Sequence, residues 1–197
     1  MNRERPQVVI LAGPNGAGKS TSAAKLLLGP LQVTEFVNAD TIAQGLSAFA
    51  QQHVAIEAGR IMLRRLHDLA SARESFAFET TLATRSYARW LRKLQTQGYD
   101  VHLVFLWLSH PDVAVARVAD RVRAGGHHIP EEVIRRRYAA GVANLRSLYL
   151  PLANAWELID NTRINDPRLI AAGVAGQPVD VRVVAVWRSI VSEKESP

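Results

Sequence analysis

The amino-acid sequence predicts an α/β fold: a mainly parallel sheet with helices on both faces. Three features predict it. Short β-branched or aromatic runs alternate along the chain with segments of helical periodicity. The strongest runs, Val8 to Ala12 and Val101 to Leu108, are apolar almost without a break, as strands buried on both faces must be. The first run leads directly into a glycine-rich turn and then a helix.

Taken in order, Gln7 to Ala12 (QVVILA) is the first strand, and Lys19 to Leu28 a helix stopped by Gly29 and Pro30. Thr34 to Val37 is a short second strand ending at Asn38, Ala39 and Asp40. Val54, Ala58, Ile61, Met62, Leu66 and Leu69 recur at helical spacing, so a long helix covers Val54 to Ala70. Phe76 to Phe78 is a third strand that runs out at Glu79, Thr80 and Thr81. Tyr87, Trp90, Leu91 and Leu94 mark an amphipathic helix closed by Gly98, and Val101 to Leu108 follows as a strand. Pro111 and Asp112 suit the first turn of a helix, one for its fixed φ and the other for its charge at the positive end of the dipole. Gly125 and Gly126 break that helix, and Pro130, Glu131 and Glu132 start another that runs to about Leu150. Glu157 to Asp160 reads as the end of a fifth strand, Ala171 to Pro178 as a linker, Val181 to Val186 as a late strand and Ser189 to Pro197 as a frayed tail. The expectation is a single domain over 1–197, with a helical lid at about 117–137.

No apolar stretch approaches the roughly 20 residues that span a bilayer. The charged start, Met1 to Pro6, lacks a signal-peptide core, which points to a cytoplasmic protein and away from membranes. The absence of cysteine removes thiolate catalysis and cysteine-based metal sites. A net charge of +6 favours anionic partners without choosing among nucleotides, sugar phosphates and nucleic acid.

The segment Gly13, Pro14, Asn15, Gly16, Ala17, Gly18, Lys19, Ser20 fits GxxxxGK[ST] and is followed by Thr21. Phosphate oxygens must come close to the backbone here, so glycines replace side chains that would clash. The N–H groups at the helix start point at the anion. Lys19 brings a mobile charge to the β- and γ-phosphates, and Ser20 offers a hydroxyl to Mg2+. Between a buried strand and a helix, this motif predicts a P-loop NTPase fold that binds ATP or GTP with Mg2+.

Phosphoryl transfer needs more: an acceptor hydroxyl, a base and positive charge around the moving phosphoryl. Asp40 lies just beyond the second strand, where ligands of open α/β sheets bind. It reads equally as a base for a substrate hydroxyl and as the N-cap of a helix starting at Thr41. Glu79 and Thr80 stand at the same sheet edge, as substrate contacts, as holders of water bound to Mg2+ in the case of Glu79, or as an ordinary strand-end turn. Arg117, Arg121 and Arg123 before the glycine pair, and Arg135 to Arg137 after it, make a lid that brings guanidinium groups over phosphates, or else solvated helix ends. His127 and His128, adjacent and without other ligands, point away from a metal site. Trp107, Trp156 and Trp187 read as packing residues.

Together, AGPNGAGKST (12–21), NAD (38–40), FETTL (78–82), GGHHIPEEVIRRRY (125–138) and DN (160–161) resemble the zeta-toxin family of P-loop kinases. The resemblance runs from about Val8 to Asn161 and stops by about Pro167. It implies an ATP-dependent kinase with an alcohol acceptor, built on a five-stranded, mainly parallel sheet. The best-known members phosphorylate the 3′-hydroxyl of the aminosugar in UDP-N-acetylglucosamine, poisoning bacterial cell-wall synthesis, and a cognate antitoxin blocks the nucleotide site. By position, Lys19 and Ser20 hold ATP and Mg2+, Asp40 is the base, and Glu79 and Thr80 contact substrate, with Asn38 of the NAD segment beside them. The family's phosphate-facing arginines map first to Arg121, then to Arg117 and Arg123. The chain is shorter than the well-studied toxins, which leaves room for a different hydroxyl substrate. An antitoxin would be a separate protein.

Two other readings stay open. One is a nucleotide-dependent switch or ATPase acting through a protein partner, disfavoured because Val101 to Leu108 ends in Ser109 where an ATPase would place an aspartate. The other is a nucleic-acid kinase, disfavoured by the lack of aromatic–basic interleaving.

Overall fold

A computed structural model describes residues 5–47, 51–126 and 128–192. One seven-stranded sheet runs through it in the order β2-β3-β1-β4-β5-β6-β7. Five strands are parallel, as the sequence predicts: β1 (Gln7–Ala12), β2 (Glu35–Val37), β3 (Phe76–Thr80), β4 (Asp100–Trp107) and β5 (Ala155–Asp160). Two more, β6 (Arg168–Val174) and β7 (Gln177–Val181), extend the edge antiparallel. The helices are α1 (Lys19–Leu27), α2 (Ala39–Leu46), α3 (Gln51–Ser71), α4 (Ser86–Thr96), α5 (Pro111–Arg123) and α6 (Glu131–Asn144). The last continues through a π-helical turn, Leu145–Tyr149, into α7 (Leu150–Leu152), and α8 (Val184–Val191) ends the described chain.

The unbroken apolar runs are explained by two cores. Along β1, Val8 and Ile10 join one core while Val9 and Leu11 join the other, and β4 divides Leu103 and Phe105 from Val104 and Leu106 in the same way. The first core is closed by α3, α4, the π-helical turn and α8, the second by α1, α5 and α6. Leu11 is fully buried in a close-packed layer, so truncation to alanine costs about 2–5 kcal/mol.

Five expectations are corrected. Ala171 to Pro178 is no linker but most of the β6–β7 hairpin. Val181 to Val186 is not a strand: β7 ends at Val181 and α8 begins at Val184, and Ser189 to Val191 belong to that helix. The helix expected to run unbroken from Pro130 to Leu150 widens into the π-helical turn. Asp40 does not cap its helix; Asn38 does, its Oδ1 accepting from the N–H groups of Asp40 at 2.7 Å and Thr41 at 3.4 Å. The remainder of the expected tail, 193–197, and His127 lie outside the described residues. Among the described residues, no helix is long and apolar enough to cross a membrane.

Candidate active site

Parallel pairing brings the carboxyl ends of β1, β2, β3, β4 and β5 to one edge of the sheet. Brought there are the phosphate loop after β1, Asn38 and Asp40 after β2, Glu79 and Thr80 at the end of β3, and Asn161 after β5. This is the edge at which open α/β sheets bind ligands.

The loop adopts a conformation only glycine permits at its ends. Gly13 has φ 144°, and a Cβ there would collide with the carbonyl oxygen of Leu106. Gly18 precedes α1 in the left-handed region at φ 81°, and its Cβ would lie 2.9 Å from Asn161 Nδ2. The first-turn N–H groups of α1 have no intrahelical partners and are available to an anion. Pro14 and Ala17 are buried within the loop, while Ser20 and Thr21 are exposed on the first turn.

Lys19 is 5% exposed, and its ammonium donates to the carbonyls of Gly13 and Pro14, both at 2.9 Å. Glu79 Oε1 lies 3.6 Å away. Burial holds this ammonium below its ordinary pKa; Glu79 and Asp40 oppose that shift, and Arg121 adds to it. Ser20 Oγ donates to Glu79 Oε2 at 2.7 Å. Asn38 Nδ2 donates to the same oxygen at 2.7 Å and to Ser20 Oγ at 3.3 Å. Glu79 and Asn38 are thus joined to the Ser20 hydroxyl. Thr80 uses its hydroxyl to accept from Leu82 N at 3.1 Å, and its carbonyl accepts from Gly13 N at 3.2 Å.

The outer side of the loop is held by residues whose role the sequence did not reveal. Asn161 Nδ2 donates to Ala17 O at 2.7 Å. Arg117 donates to Gly16 O at 3.3 Å and to Thr162 O at 2.9 Å. Arg117 therefore braces the loop from behind. Arg121, part-buried one turn further along α5, is near enough to Lys19 to depress its protonation. Arg123 is exposed and paired with Asp120 on its own helix. The three arginines predicted for the phosphate thus divide: Arg121 stands near Lys19, Arg117 behind the loop, and Arg123 apart.

Beside the phosphate loop opens a cavity of about 870 Å³. Asn15 and Lys19 form one wall and Asp40 another; Glu79, Thr80, Thr84 and Tyr87 contribute from β3 and beyond, and Val133, Arg136 and Arg137 from α6. His128 also lines it. A slightly larger cleft of about 990 Å³ lies elsewhere, lined by residues from the opposite ends of these strands, and holds none of the predicted site residues.

The residues fit the groups the motif calls for. Cβ-free positions in a strand-to-helix loop suit a polyphosphate. The Ser20 hydroxyl beside a carboxylate and an amide offers the hard oxygen donors, and the space for retained water, that Mg2+ prefers.

Known proteins place this geometry in context. A protein of Haemophilus influenzae, itself uncharacterized, is 27% identical over 132 residues, 67% of this chain and 92% of that one. A chain of the AvrRxo1-ORF1:AvrRxo1-ORF2 complex, solved with ATP, superposes with a TM-score of 0.77 at 17% identity, over 99% of this chain. The present chain spans 66% of that chain's length, just under two thirds. A chain of the PezAT chromosomal toxin–antitoxin system of Streptococcus pneumoniae superposes with a TM-score of 0.69 at 16% identity, covering 95% of this chain and 78% of that one. At such identities the two superpositions establish a shared α/β fold. Residues 8–141, the stretch from β1 into α6, match the family described as an AAA domain, and with more than half of its length matched the chain belongs to that family.

Proposed function

We propose that the protein is a kinase that moves the γ-phosphoryl group of ATP onto a hydroxyl of a small molecule, a nucleotide-sugar such as UDP-N-acetylglucosamine being the first candidate. The observation that carries this reading is that one cavity is lined both by Lys19 of the phosphate loop and by Asp40, whose side chain does not cap the helix. A donor phosphate and an acceptor hydroxyl would meet there.

In the proposed step the Asp40 carboxylate takes the acceptor's proton as its oxygen attacks the γ-phosphorus. The bond from that phosphorus to the β–γ bridging oxygen breaks, and its electron pair leaves with ADP. Lys19 and Arg121 stabilise charge on the phosphoryl oxygens. Ser20 would hold Mg2+, with Glu79 and Asn38 orienting its water; the ion would neutralise charge on the β- and γ-oxygens. Arg117 and Asn161 act as positioning residues that keep the loop's shape. The segment at about 117–137 would be the lid of a single domain over 1–197. The likeness to chains from two complexes, one a toxin–antitoxin system, supports the further proposal that a separate protein regulates this one.

Asp40→Asn tests the assignment. Transfer to the acceptor, followed by mass spectrometry across a panel of UDP-sugars, nucleosides and other metabolites, should fall by about 10²–10⁴-fold while nucleotide affinity stays near wild type. Undiminished transfer by Asp40→Asn would remove the base. ATP turnover to free phosphate alone, equal in both proteins, would favour a nucleotide switch.

A further inference from the structure

The α6 wall of the cavity beside Asp40 is lined by two arginines, Arg136, which is exposed, and Arg137. Their neighbour Arg135 is engaged elsewhere, by Asp112 at 2.6 Å and Glu131 at 2.7 Å. Among the described residues, Arg136 and Arg137 have no carboxylate within ion-pair reach. Two carboxylates do line the cavity, but Glu79 is taken up by Ser20, Asn38 and Lys19, and Asp40 contributes from α2. Among the described residues, the positive charge on the α6 wall is therefore not neutralised by any ion pair. Arg137 is also half-buried. Holding a charge partly out of water without a counter-ion costs free energy that a bound anion returns. Guanidinium groups suit phosphate best, since their paired N–H groups match its oxygens.

We propose that Arg136 and Arg137 bind a phosphate or diphosphate group carried by the acceptor. The acceptor is then an anionic hydroxyl compound, and neutral sugars or polyols are poor substrates. This rests on the kinase reading of the same cavity. It divides the arginines by helix: Arg121 on α5 serves the nucleotide, and the pair on α6 serves the acceptor.

The probe is pyrophosphate, titrated calorimetrically into protein whose phosphate loop is filled with Mg2+ and a non-hydrolysable ATP analogue. Pyrophosphate should bind. The double variant R136Q/R137Q should weaken that binding about tenfold or more and leave analogue affinity within about twofold. The Arg137→Lys variant keeps the charge and should keep part of the affinity, which separates loss of the anion site from loss of fold. Absence of pyrophosphate binding to the nucleotide-filled wild type, or equal binding by the double variant, overturns the proposal. So does a drop in analogue affinity in the double variant, which assigns both arginines to the nucleotide. Failure of the kinase reading looks different: the analogue itself does not bind, or Asp40→Asn still transfers phosphate. In that case the titration on Lys19→Ala protein, with its phosphate loop disabled, decides the anion site by the same comparison.

Discussion

At the scale of single residues, the phosphate loop was the most legible part of the site because its chemistry is local. Gly13 to Ser20 carry the constraint within eight positions, and the structure gives each glycine end a collision that a side chain would cause. Gly13→Ala should cost about 1–3 kcal/mol of stability, read as a lowered thermal midpoint, because the new methyl meets a backbone carbonyl that cannot swing aside. The partners of the loop were not legible. Asn161 stands 144 residues from Ala17, whose carbonyl it holds, and nothing in a DN dipeptide announces a loop brace. Asn161→Ala removes one hydrogen bond and leaves that carbonyl short of a donor. The expected result is nucleotide affinity weakened about tenfold, with about 1 kcal/mol lost in stability, measured by calorimetry and thermal melting. Asp40 shows the reverse case. Its residue type fitted two roles, and the geometry speaks only to one of them: Asn38, not Asp40, does the capping.

Among the elements, α6 and the turn that follows it act as a clamp on the loop after β3. Gly141 sits so close to the Thr81 carbonyl that a Cβ would overlap it. Asn144 Nδ2 donates to Leu82 O at 2.7 Å, and the Tyr149 hydroxyl donates to Thr84 O at 2.8 Å. Leu82 is fully buried with φ 57°, a left-handed conformation that costs a branched residue roughly 1–3 kcal/mol and survives only when its surroundings fix it. The π-helical turn, of a kind that gathers at functional sites, lies between Asn144 and the end of α6's continuation. Asn144→Ala should raise the acceptor KM severalfold and leave nucleotide binding unchanged, a split that steady-state kinetics would read; equal loss of both would make Asn144 a general stability contact. The elements that sequence reasoning misread have a common cause. Ala171, Ala172 and Gly173 resemble a linker because they are small, yet Gly173 is small because Trp156 lies against it and leaves no room for a side chain. The apolar run before α8 has no clear period, so its division between β7 and a helix was invisible without the sheet edge to measure against.

For the molecule as a whole, the alternation of strands and helices sufficed to predict the parallel sheet, because each parallel crossover needs a helix. The added hairpin needed no crossover and so left no such signature. The same two-faced core also fixes the protein's alkaline limit. All four tyrosines have phenols raised above their ordinary value by burial, Tyr138 and Tyr149 to about 12. Below the ordinary value of 10.0 both folded and unfolded chains keep these protons, and the stabilisation is whole. Above it the unfolded chain releases protons that the native state retains, so stability falls as pH rises toward about 12. Tyrosinate absorbance and the loss of helical circular dichroism should therefore appear together in an alkaline titration; phenols that ionise well before unfolding would contradict the burial.

The stacked pair that closes the hairpin side has a consequence in optics. Trp156 on β5 and Trp187 on α8 lie with ring centroids 5.3 Å apart and planes 8° from parallel. Indoles so placed share their excitation: they should give a coupled, two-signed band in the near-ultraviolet circular dichroism and emit less light than separated rings. Trp187→Phe should abolish the couplet while Trp90→Phe leaves it, giving a built-in optical gauge of whether α8 stays docked when nucleotide or a partner protein arrives.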